Sequence, residues 1–177
     1  MQHITYKIIA SILFIFIFSN AEAQITKDNS EPMAMYEIVK QQADSMGYYF
    51  VHNEFNNYMK YQHPGLIKLL GGEQSLMNTL NENVTKKGIK ALSVTTDVPS
   101  KIIVSDSNFQ CTLQQTSVMM IAKTKLEIIS TLVCISYDNG EKWFFVNASG
   151  SQSIIKQVLP ELSIELDIQE QSTRKLD

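Results

Sequence analysis

Between Phe109 and Tyr137 the chain reads as two long strand-like segments, Phe109 to Ile121 and Leu126 to Tyr137, joined by a turn around Ala122 to Lys125. A hairpin that long cannot stand in water by itself, so the segments around it must supply cover. In its first strand Phe109, Cys111 and Leu113 alternate with Gln110, Thr112 and Gln114. Side chains alternate across a strand, so the apolar set is predicted to face helices and the Gln and Thr set to face outward. The alternation weakens beyond Gln115.

The flanking sequence fits this plan. Asp138-Asn139-Gly140-Glu141 is a hairpin signal, since Asn-Gly tolerates positive φ, and Lys142 to Asn147 reads as a closing strand. Ile89 to Val98 and Lys101 to Ser105 read as two earlier strands around a Pro99-Ser100 turn. Upstream the period is helical. Ser30-Glu31-Pro32 is a helix start, and Tyr48, Val51, His52, Phe55, Tyr58 and Met59 share one face of a helix predicted to run to about Gln62. Gly47 marks a point for a kink or break. His63-Pro64 separates this unit from the next, Gly71-Gly72 interrupts again, and Glu73 to Lys86 resumes up to Gly88. Helices followed by antiparallel strands give an α+β domain with its helices on one sheet face. Phe144 and Val146 fall on the opposite face from Trp143 and Phe145, so the last strand needs cover on both sides. A C-terminal helix ending near Leu159, capped by Ser151 or Ser153, or the second subunit of a homodimer, would provide it.

The first 23 residues read as an export signal: Lys7, an apolar run from Ile8 to Phe18, and the Ala21-Glu22-Ala23 cleavage pattern. The run is shorter than the roughly 20 residues a membrane span needs. The expectation is therefore a periplasmic or secreted protein with no span after cleavage. It would comprise a leader at 24–30, a single domain at 31–166 and a polar, frayed tail at 167–177. The net charge of −3 argues against a nucleic-acid partner. The Lys86-Lys87 pair sits at a helix end, where cations complement the helix dipole.

Cys111 and Cys134 are the only cysteines. If the hairpin pairs residues whose numbers sum to about 245 to 247, both thiols leave the same face, which allows a cross-strand disulfide. Two buried free thiols are the alternative, favoured because cysteine is a common small core residue. His52 and His63, without nearby cysteine, do not make a zinc signature, so no metal is expected. Nucleophile elbows and phosphate-binding loops are missing, and no cofactor is expected. Tyr58 and Tyr61 offer phenol donors, His63 stands at a helix junction, and Asp97 ends a strand beside Pro99. Trp143 follows a tight turn. These five residues are the pocket candidates, with packing or capping as the plainer role of each.

Tyr61-Gln62-His63-Pro64-Gly65-Leu66-Ile67, Gly71-Gly72 and Ser136-Tyr137-Asp138-Asn139-Gly140-Glu141-Lys142-Trp143-Phe144-Phe145 resemble a group of exported bacterial proteins. That group is similar to the nuclear-transport-factor-2-like superfamily, which includes ketosteroid isomerase and the SnoaL-type cyclases. The resemblance spans about Glu54 to Leu162. It implies a strongly curved antiparallel sheet, a cone-shaped, cystatin-like roll wrapped around helices with a funnel for a ligand. Activity does not follow from the fold. The isomerase constellation of an acidic base with tyrosine and protonated-acid donors finds no match here residue by residue. The leading expectation is a non-catalytic exported domain that binds a small apolar ligand or an envelope protein partner. The alternatives are an isomerase- or cyclase-like enzyme using Tyr58, His63 or Asp97, and a structural homo-oligomer.

Overall fold

The computed structural model describes residues 30–148 and 152–177. The stretch expected to be a signal peptide, Ser151 and all of the expected leader except Ser30 lie outside them. The element order is α1 (Ser30–Val51), α2 (Phe55–Met59), α3 (Pro64–Leu69), α4 (Glu73–Thr85), β1 (Lys90–Thr96), β2 (Ile103–Val104), β3 (Phe109–Ile121), β4 (Thr124–Ser136), β5 (Phe144–Asn147), α5 (Gln152–Val158) and β6 (Ser172–Lys175). The strands form a six-stranded antiparallel sheet, so the domain is α+β.

The β3–β4 hairpin is its spine. It pairs from Phe109↔Ser136 to Ile121↔Thr124, a register in which partner numbers sum to 245. Ala122 and Lys123 both take positive φ, 49° and 69°, as a two-residue hairpin turn requires. β1 and β2 share the free side of β3, while β5 and β6 share the free side of β4. Each outer strand therefore covers only part of the spine.

α1 lies on one face of this sheet. Its Val39, Ala43 and Met46, at i, i+4 and i+7, pack with Cys111, Leu113, Leu132, Cys134, Trp143 and Phe145. The apolar set of β3 does face the helix. Two sequence expectations for α1 are corrected. The helix runs through Gly47 without a break, and it stops at Val51 rather than near Gln62. Asn53, at φ 58°, turns the chain into α2. The periodic set read across that turn therefore splits: Phe55 is buried, while Tyr48 and His52 are exposed and stack on each other at 4.0 Å. Gly47 serves packing. A Cβ there would lie 2.7 Å from Val94 Cγ1, so glycine lets α1 approach β1.

The opposite sheet face is a second core. Val133, Ile135, Val146 and Ala148 pack with Ile155, Val158 and Leu159, and Phe144, Leu162, Leu166 and Ile168 close its margin. The chain itself supplies the cover that Phe144 and Val146 demand. Consequently the Gln and Thr set of β3, predicted to face outward, is covered: Gln110 is 3% exposed, Thr112 5%, and Gln114 is half-buried. Gln110 Nε2 donates to the Glu161 carbonyl at 3.0 Å, and its Oε1 accepts from the Ser163 N–H at 2.9 Å.

The frayed tail is also corrected. Ile168 packs against the second core, and β6 pairs with β4 from Leu126↔Lys175 to Ile129↔Ser172. The cause is the stretch of β4 beyond β5, whose ladder groups need a partner. Among the described residues no helix is long and apolar enough to cross a membrane.

Candidate ligand-binding site

The helix-facing side of the sheet changes character along the spine. The buried pair Leu113↔Leu132 is followed on the same face by Gln115↔Ser130 and then Ser117↔Ile128. Asn147, the β5 partner of Leu132, extends the polar belt to a third strand, and its Nδ2 donates to Ser130 Oγ at 3.2 Å. Polar groups in the middle of a face otherwise spent on core contradict the binary pattern, and such local conflicts mark functional positions.

Over this belt lies a cavity of about 240 Å³. Met46, Gly47 and Phe50 of α1 and Tyr58 of α2 line it from the helical side, while Val94, Met119, Ile128, Leu132 and Phe145 add apolar walls. Gln62, between α2 and α3, and Gln171, just before β6, bring two more amides. The side chains of Gln115, Ser117 and Gln171 and the Tyr58 hydroxyl form no hydrogen bond with any described residue. Gln62 is 7% exposed and donates Nε2 to Met46 Sδ at 3.1 Å, with no donor on its Oε1. Yet no buried side-chain nitrogen or oxygen among the described residues lacks a partner. The unbonded atoms of Gln115, Ser117, Tyr58 and Gln62 are therefore open to solvent-sized space, and the cavity they line is such a space.

Tyr58 is the one ionisable side chain in the lining. Burial pushes its phenol up to about 12, so it is neutral at physiological pH and both donates and accepts. The lining thus offers amides and hydroxyls around an apolar floor, with neither charge nor a nucleophile–base pair.

Of the five pocket candidates from sequence, only Tyr58 lines this cavity. Tyr61 packs against the first core, and its carbonyl accepts from the Phe145 N–H at 2.8 Å. Trp143 is wholly buried and donates Nε1 to the Gly140 carbonyl at 2.9 Å. Asp97 is exposed at the end of β1. His63 sits against Phe144 of the second core, and both ring nitrogens are engaged. Nδ1 accepts from the Gly65 N–H at 3.1 Å, capping α3, which leaves the proton on Nε2 to donate to Tyr137 Oη at 3.0 Å. Tyr137 in turn donates to Glu161 at 2.7 Å. Burial, opposed by the Glu161 charge, lowers the His63 pKa. This chain of bonds ties α3 to the sheet and to the C-terminal segment.

Cys111 and Cys134 are direct cross-strand partners, wholly buried and free. Burial, then contact with Cys111, raises the Cys134 thiol far above its ordinary range. No group of three or more His, Cys, Asp or Glu among the described residues could hold a metal ion. No family model matches the chain, and no curated protein matches it either.

Proposed function

We propose that this chain is an exported, non-catalytic domain of the cone-shaped nuclear-transport-factor-2-like type, binding a small neutral molecule between α1, α2 and the sheet. The observation that carries the reading is the cavity of about 240 Å³, in which the side chains of Gln115, Ser117 and Gln171 and the Tyr58 hydroxyl have no hydrogen-bond partner among the described residues. Unpaired polar groups beside apolar walls cost stability, and a ligand that pairs them repays the cost. The polar belt also revises the ligand: a purely apolar molecule would leave Gln115 and Ser117 unsatisfied. Tyr58, as the one ionisable group in the lining, equips the site to hydrogen-bond rather than to move protons. The long hairpin with a helix on one face supports the fold reading, and Lys7, Ile8 to Phe18 and Ala21-Glu22-Ala23 support export.

Native mass spectrometry of the protein purified from its own source tests the reading directly. A retained small molecule, lost when Ser117→Leu fills the cavity, is expected. A ligand held equally well by wild type and S117L would place binding elsewhere and overturn it.

A further inference from the structure

Resting on that binding reading, we infer that the cavity takes a neutral lactam ring, a flat ring carrying an N–H beside a C=O, as in 2-pyridone or a pyrimidine nucleobase. Three observations converge on this class. The lining carries no charged side chain, so an ionic ligand would enter with its charge unpaired, whereas a neutral one pays no such penalty. The polar groups are chiefly amides, and those of Gln115 and Gln171 keep both donor and acceptor unengaged, while Gln62 keeps its Oε1. An amide presents a donor and an acceptor side by side, and the edge that satisfies both at once is another amide edge. A polyol lacks that fixed pairing, and an alkyl chain lacks both groups.

The walls and the size agree. Phe50 and Tyr58, with ring centroids 5.2 Å apart, and Phe145 give the cavity flat apolar surfaces suited to the faces of a ring. At about 240 Å³ the space falls below the roughly 300–1,000 Å³ of sites for drug-sized ligands, which excludes a sterol or a long acyl chain. Gln115 comes from β3, Gln171 from the segment before β6 and Gln62 from between α2 and α3, so the amides reach the cavity from separate elements.

Titration calorimetry of the mature chain with 2-pyridone, uracil, N-methyl-2-pyridone, glucose and hexanol tests this. Saturable binding of 2-pyridone and uracil is expected, weakened roughly tenfold by N-methylation, which replaces the donor by a methyl group and keeps the ring and its C=O. Gln115→Leu should weaken it by a similar factor. Gln171→Leu, at an exposed side chain with no bond to a described residue, should do the same. Equal binding of the N-methylated ring overturns the lactam assignment. So does binding of glucose or hexanol in its place, and if S117L abolishes that binding the cavity reading stands. No binding of any of the five overturns both.

Discussion

Gln115 and Ser130 face each other across the hairpin on the side where the neighbouring pair, Leu113 and Leu132, is buried core. A sheet built only to be stable would carry apolar residues there. Replacing Gln115 and Ser117 together by valine should therefore raise stability by about 1 kcal/mol, the scale on which sites trade stability for function. Urea unfolding measures it. A double variant less stable than wild type would show that the belt is structural.

Gly47 and Val94 form a contact that tolerates no added carbon. Alanine is the better helix former by about 1 kcal/mol, yet Gly47→Ala should destabilise by about 1–3 kcal/mol because its Cβ overlaps Val94. Adding Val94→Ala should recover much of that loss. A double-mutant cycle with no coupling would mean that α1 shifts freely on β1.

His63 should make the protein acid-sensitive. Its folded pKa is lowered, chiefly by burial, so the unfolded state takes up the proton first. The stability His63 provides is complete above the unfolded value of about 6.5 and is lost as pH falls through the lower folded value. Asparagine keeps an acceptor for the Gly65 N–H but cannot titrate. His63→Asn should thus be the less stable protein at pH 7.5, with the gap to wild type closing by pH 5. Parallel denaturation curves at both pH values would refute the assignment.

The outer face should behave as core and the final strand as trim. Leu159→Ala removes a wholly buried side chain and should cost about 2–5 kcal/mol. Arg174→Ala breaks a surface ion pair with Glu127 at 2.7 Å and should cost at most about 1 kcal/mol. Chemical denaturation of both variants compares them, and a mild Leu159 effect would mean that α5 is dispensable.

The spine of the fold was legible because alternation and turn chemistry are local. Phe109, Cys111 and Leu113 named the helix-facing side, and their register placed Cys111 against Cys134. The end of α1 was not legible, because Asn53 turns the chain inside a stretch whose helical period continues on paper. β6 was equally hidden: Ser172 to Lys175 are all exposed, and only the vacant side of β4 gives them a reason to extend. The site left two traces, the phenol of Tyr58 and the loss of alternation beyond Gln115. Gln62, Asn147 and Gln171 reach the same cavity from distant segments, a convergence that only the tertiary fold reveals. His63 was a pocket candidate whose plainer reading was a cap at the helix junction, and its two nitrogens are consumed by neighbours in that way.

Gln110 grips the segment crossing the outer face as a peptide group would, giving one bond and taking one. That crossing is thus docked at a fixed address. A residue inserted between Glu161 and Ser163 would spoil both bonds at once, so spacing here should resist insertion and deletion more than an irregular, surface-running stretch normally does.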